Sequence, residues 1–213
     1  MIKIIKKVVK KQFTKNYWQS SSSSKWHNKR QQEAYADFNA FALGVSNHVK
    51  ALNYKTVIEI GTGAGTLISL ISKKLDNYNK FIGIDINKQQ INENKKNYQD
   101  SNIEFICMDI DKYIKQNNLD EVVIVAQNTF DYFDQASLTA LLKNIHTDID
   151  NVVVSISGLV QNKQLENSVD RQEADLKVYH HNYHKILSSV GFKNIKSDSY
   201  GDNENSIVIT AQK

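Results

Sequence analysis

The stretch VIEIGTGAGTLISLI, residues 57–71, runs from β-branched residues around Glu59 through glycines at 61, 63 and 65 into an apolar helical run. A buried strand that ends in a glycine turn and feeds straight into a helix is the opening half of a βαβ unit. Backbone N–H groups at such a helix start face whatever lies beyond the carboxyl end of the strand. Glycine at those positions lets the backbone come close to a ligand.

Downstream the same alternation continues. FIGID (81–85), IEFICMD (103–109), EVVIVAQ (121–127) and NVVVSIS (151–157) read as buried strands. Helical patterns between them are expected from about Ala64 and over residues 88–98, 111–116 and 135–146, with a long helical stretch around 171–189. Near-continuous Val/Ile runs separated by helices indicate an α/β fold with a doubly wound parallel sheet covered on both faces. After Gly191, FKNIKSDSY and SIVITAQK, joined by GDNEN, read as an antiparallel hairpin.

Upstream, residues 31–52 place Tyr35, Phe38, Phe41, Ala42, Val45 and Val49 at helical spacing, for one or two helices. The serine run at 20–24 reads as a flexible connector. Residues 1–13, MIKIIKKVVKKQF, read as a basic amphipathic helix. The expected organisation is a leader and linker over 1–30 and one domain over 31–213.

The net charge of +4 is uneven: residues 1–32 hold nine of the 27 Lys and Arg and none of the 23 acids, leaving the remainder at −5. Basicity near a catalytic crevice, which a nucleic-acid enzyme needs, is therefore not expected. A short lysine-backed apolar face suits weak, reversible attachment to an anionic membrane surface; a solvated helix is the competing reading. One cysteine, Cys107, gives no disulfide framework. With no apolar run of membrane-spanning length and a lysine-broken start, the expected location is cytoplasmic, peripheral at the inner membrane surface if the leader attaches.

About 20 residues beyond Gly65, Asp85 ends the second strand, where a carboxylate accepts hydrogen bonds from ribose hydroxyls. Loop plus acid describe a nucleoside site without separating a dinucleotide from other nucleosides. Three features narrow it: the loop reads E-x-G-x-G-x-G rather than G-x-G-x-x-G, an acid pair (Asp109, Asp111) follows the third strand, and the chain closes on a hairpin. Over about residues 52–213 this resembles the class I S-adenosylmethionine-dependent methyltransferases. The resemblance implies a Rossmann-like seven-stranded sheet in the order 3-2-1-4-5-7-6 with the last strand antiparallel, and S-adenosylmethionine as cofactor, released as S-adenosylhomocysteine. It places Gly61, Thr62, Gly63 and Gly65 beside the methionine part and Glu59 under the loop or at the amino group. It places Asp85 and Ile86 at the ribose, Met108, Asp109 and Ile110 at the adenine, and Gln127 at the end of the fourth strand. Asp111 is read as a helix N-cap.

The acceptor is constrained by absence. The chain has no proline and so lacks the [DNS]-P-P-[YFW] motif of exocyclic-amine methyltransferases, and Cys107 is not in the Pro-Cys setting of cytosine-C5 enzymes. Asn128, Asp131 and Tyr132, after the fourth strand, are candidate acceptor contacts, with Asp131 a candidate base. His180, His181 and His184 are further candidate bases, because histidine titrates where a general base must. On a helix, His180 and His184 would share a face, but no third ligand accompanies them and no metal is expected. Trp18, Trp26, His27, Arg30 and Tyr35 are expected to form a lid over the donor, with Trp26, Arg30 and Tyr35 the candidate substrate contacts; a packed N-terminal helix is the competing reading. The expected activity is O-methylation of a small molecule, sugar or glycan precursor. The alternatives are N-methylation of a small amine and a non-catalytic S-adenosylmethionine-binding protein.

Overall fold

The computed structural model describes residues 16–99, 102–173, 176–202 and 205–213, without the side chains of residues 24, 26, 27, 30, 31 and 170–177. The basic segment 1–13 lies outside the described residues. Two helices, α1 (Ser21–Glu33) and α2 (Tyr35–Val49), precede the alternating core. There follow β1 (Thr56–Ile60), α3 (Thr66–Ser72), β2 (Lys80–Asp85), α4 (Lys88–Asn97), β3 (Ile103–Cys107), α5 (Ile110–Gln116), β4 (Val122–Ala126) and, after a 3₁₀ turn at Phe130–Tyr132, α6 (Gln135–Asp148). The chain ends with β5 (Val152–Leu159), β6 (Val169–Glu173), β7 (Leu176–His180), α7 (Tyr183–Val190), β8 (Lys193–Ser199) and β9 (Ser206–Gln212).

Seven strands form one sheet in the order β3-β2-β1-β4-β5-β9-β8. β1 to β5 run parallel, whereas β9 pairs antiparallel with both β5 and β8. With β8 and β9 counted as the sixth and seventh sheet strands, this is the expected order and the expected antiparallel strand. Period-2 alternation sorts side chains onto two faces. Ile58, Ile60, Ile82, Ile84 and Ile124 pack with α5, α6 and α7. Val57, Phe81, Val123, Val125 and Val208 pack with α2 and α3.

Three elements differ from expectation. The serine run is not a connector but the start of α1: Ser20 Oγ accepts the Ser23 N–H at 3.3 Å, an N-cap bond that serine supplies well. The stretch 171–189 is not one helix. Its first half is the two-stranded ribbon β6–β7, separate from the main sheet, and the helix begins only at Tyr183, where Asn182 caps it by accepting Lys185 N–H at 3.0 Å. His180 and His184 therefore share no helix face. Finally, the cap of α5 is Asp109, whose Oδ1 accepts Asp111 N–H at 3.2 Å; Asp111 stands in the first turn and accepts from Asn144 instead. Both acids suit a helix start, where the dipole favours negative charge.

Candidate active site at the carboxyl edge of the sheet

β1 lies between β2 and β4, and the chain leaves it towards opposite ends of the sheet. Such a switch in strand order opens a crevice at the carboxyl edge. The glycine loop fills the bottom of that crevice with left-handed backbone: φ is +71° at Gly61, +50° at Gly63 and +79° at Gly65. A Cβ on Gly61 would lie 2.4 Å from Thr129 Oγ1, so the loops after β1 and β4 meet only because residue 61 has no side chain.

Two carboxylates hold the loop. Glu59, 3% exposed, occupies a core position of β1; its Oε2 accepts from Thr62 Oγ1 at 2.6 Å and from Ile68 N–H at 3.1 Å, tying strand to helix start. Burial pushes its carboxyl up to about 8, with Thr62 and Ile68 pulling back and the nearby charge of Asp85 adding to the rise. Asp85, at the end of β2, is 8% exposed and accepts Gly63 N–H at 3.0 Å and Asn87 N–H at 2.9 Å. Of the two roles expected of Glu59, the geometry is that of loop support.

Ile86 and Met108 follow β2 and β3 and are half-buried, with Met108 N–H on Asp85 O at 3.0 Å. Ile110 opens α5, and its side chain, 7% exposed, belongs to the core cluster. Gln127, just past β4, hydrogen-bonds the Tyr200 phenol, while its Oε1 is buried with no partner among the described residues. A buried acceptor left unpaired is costly, so an orphan at the crevice marks a place for a donor group. Asp85 and Gln127 thus supply acceptors of the kind that a nucleoside ribose and an ammonium group require.

On the acceptor side, Asn128 takes φ +59° and its N–H donates to Ser157 Oγ at 2.9 Å. Asp131 Oδ1 accepts the Tyr183 hydroxyl at 2.7 Å. Tyr183 is 2% exposed, and burial first, then Asp131, raises its phenol well above the usual range, so it stays a donor. Tyr200 is pushed up to about 12 by burial and then by the charge of Asp37. Sequence reading missed Tyr183 and Tyr200, which come from α7 and the β8–β9 turn. Tyr132 meets the Trp18 ring edge-on at a centroid distance of 4.6 Å.

The three histidines separate. His181 is fully buried; its Nδ1 pairs with Ser168 Oγ at 2.5 Å and its Nε2 with Phe130 O at 3.2 Å. Burial pushes its pKa down, and with both nitrogens engaged it joins the β6–β7 ribbon to the 3₁₀ turn rather than facing the crevice. His180 ends β7, and His184 lies on α7 near Lys163, its pKa lowered by burial and then by that lysine. Among the described residues no three His, Cys, Asp or Glu side chains converge as a metal site would require. Trp26 and Arg30 fall on α1 with side chains outside the described part, and Tyr35 is 53% exposed.

Comparison with known proteins agrees with this geometry. Residues 57–149 match the methyltransferase domain family. A carboxy-S-adenosyl-L-methionine synthase of Helicobacter hepaticus is 29% identical over 112 residues, which are 52% of this chain and 44% of that protein. The chain therefore matches less than half the length of this curated relative. Among solved structures, magnesium protoporphyrin IX methyltransferase from Synechocystis, with bound S-adenosylmethionine, superposes with a TM-score of 0.64 at 15% identity, covering 96% of this chain and 97% of that one. Human N-acetylserotonin methyltransferase gives 0.68 at 16% identity over 92% of this chain and 57% of that one. Residues 57–149 are thus similar to a methyltransferase domain, and the chain has the fold of the S-adenosylmethionine-dependent methyltransferases on which it superposes.

Proposed function

We propose that this chain uses S-adenosylmethionine to methylate a hydroxyl of a small molecule, a sugar or a glycan precursor. The observation that carries the donor reading is the pairing of Asp85 and the orphaned Gln127 Oε1 across the left-handed glycine loop, at the position where the strand order switches. The bound cofactor supplies a methyl group already activated on a sulfonium. What the protein adds is chiefly alignment, worth up to roughly 10⁵–10⁸ M in effective molarity. Asp85 would hold the ribose, Gln127 Oε1 the amino group, and Gly61, Thr62, Gly63 and Gly65 the methionine part, with Ile86, Met108 and Asp109 at the adenine.

Asp131 would be the general base, because the Tyr183 hydroxyl fixes its carboxylate beside the end of β4. A base of this kind contributes roughly 10²–10⁴-fold. Asn128 and Tyr132 flank it as acceptor contacts. The two carboxylates that bear on Tyr200, Asp37 and Asp131, also favour a second reading in which a cationic amine is the acceptor.

Calorimetry with S-adenosylhomocysteine tests the donor site. Asp85→Ala should weaken binding by about 1–3 kcal/mol, the range for losing hydrogen bonds to a charged group. Unchanged affinity in a folded variant would remove the ribose assignment. Hydroxyl and amine panels scored by S-adenosylhomocysteine release separate the acceptors: Asp131→Asn should slow turnover of hydroxyls by roughly 10²–10⁴-fold. An amine that turns over only as pH passes its own pKa would favour N-methylation.

A further inference from the structure

The strand order puts β1 and its glycine loop between β2 and β4, and one short segment of chain is anchored on both neighbours. On the β4 side the Trp18 ring packs edge-on against Tyr132. On the β2 side Asn87 Nδ2 donates to Trp18 O at 2.9 Å and to Ser20 O at 3.1 Å. Trp18 and Ser20 are thus tied to residues that follow both neighbours of β1. Ser23 Oγ, fully buried, donates to Trp18 O at 3.1 Å and locks the turn into α1.

What α1 rests on is polar. Asn87, Gln90 and Asn94 lie three and four residues apart on one side of α4 and are 0%, 1% and 0% exposed. Gln90 Nε2 donates to Asn28 Oδ1 on α1 at 3.2 Å and to Asn94 Oδ1 at 3.1 Å, and Asn94 Nδ2 donates to Gly63 O at 2.7 Å. Asn28 in turn donates to Glu93 Oε2 at 3.2 Å. A line of amides thus runs from the N-terminal segment to the carbonyl of the loop glycine whose N–H is held by Asp85.

We infer that residues 16–33 are a strap that forms the outer wall of the donor site, closing through Trp18 and opening along the amide face of α4. The inference rests on the donor reading above. An apolar seat would hold such a segment shut, whereas amides exchange their partners for water at little net cost. Gln90 Oε1, buried with no partner among the described residues, gains one when the strap lifts. Because the same amides reach Gly63, a donor that fixes the loop also fixes the seat of the strap, and closure follows occupancy. Lids of this kind commonly set the rate of release.

The probe is S-adenosylhomocysteine on the full chain, followed by hydrogen exchange and stopped-flow displacement. Residues 16–33 should gain protection on binding. Trp18→Ala should release the probe roughly tenfold faster, and Trp18→Phe, which keeps an aromatic edge for Tyr132, should behave almost as wild type. Asn28→Ala, remote from Tyr132, should also speed release, and serves if Trp18→Ala does not fold. Probe binding with unchanged exchange over 16–33 and unchanged release in both variants overturns the strap and leaves the donor reading standing. A folded wild-type chain that fails to bind the probe overturns both.

Discussion

Glu59 stands where β1 otherwise presents apolar side chains to α2 and α3, and it is tolerated there because Thr62 and Ile68 satisfy one of its oxygens. Its carboxyl is raised from 4.5 to about 8 by burial above all, so between those values the folded chain holds a proton that the unfolded chain has released. The stability this gives is fully present below about 4.5 and is lost as pH rises through about 8. Glu59 should therefore contribute a fall in the urea midpoint from pH 5 to pH 8, opposed by the gain from His181 over the same range. In Glu59→Gln, which copies the protonated shape, that fall should shrink; an identical pH slope in the variant would rule out Glu59 as its source. The position of Glu59 was legible because it belongs to the local motif, and so was that of Asp85. Which of Asp109 and Asp111 caps α5 was not, since both acids suit a first turn and only the backbone at residue 109 decides. Tyr183 and Tyr200 carried no local signal at all: their partners Asp131 and Gln127 lie 52 and 73 residues away in the chain.

Among the elements, the parallel strands were readable because β1, β2, β4 and β5 are largely buried apolar runs and β3, at the sheet edge, keeps an Ile/Phe run, and the closing hairpin because Gly201, Asp202 and Asn205 mark its turn. The β6–β7 ribbon was not, since residues 169–180 mix charged and apolar side chains in a way that fits either period. What holds the ribbon down is a tertiary contact, the His181 ring between Ser168 Oγ and Phe130 O. His181→Ala should cost about 2–4 kcal/mol, by opening a cavity and leaving two polar groups unpaired. Because burial lowers its folded pKa, His181 contributes stability above about 6.5 that is lost as pH falls through the lowered value. Denaturant titrations of wild type and variant at pH 7.5 and 5 check both statements. A variant as stable as wild type, or an equal gap at both pH values, would place the attachment of the ribbon elsewhere.

At the scale of the whole molecule, charge is distributed against function: the acidic remainder holds the crevice, while lysines crowd the first residues, directly ahead of the strap that begins at residue 16. Among the described residues no helix is long and apolar enough to cross a membrane. We propose that residues 1–13 attach to an anionic surface, where each lysine adds about 1 kcal/mol at low salt. Residues 1–13 contain five lysines beside Ile2, Ile5, Val8, Val9 and Phe13, and binding by such a segment is expected to be weak and reversed by salt. A chain lacking residues 1–15 keeps Trp18, Asn28 and the whole amide seat, so it should bind S-adenosylhomocysteine as wild type does. It should lose sedimentation with phosphatidylserine-containing vesicles, which wild type should show at low salt and lose near 0.5 M salt, on the order of a 4 Å Debye length. If the shortened chain sediments as well as wild type, the membrane role of the leader is wrong. If it instead loses affinity for the probe, the leader acts on the strap beside it, and its lysines serve the donor site rather than a surface.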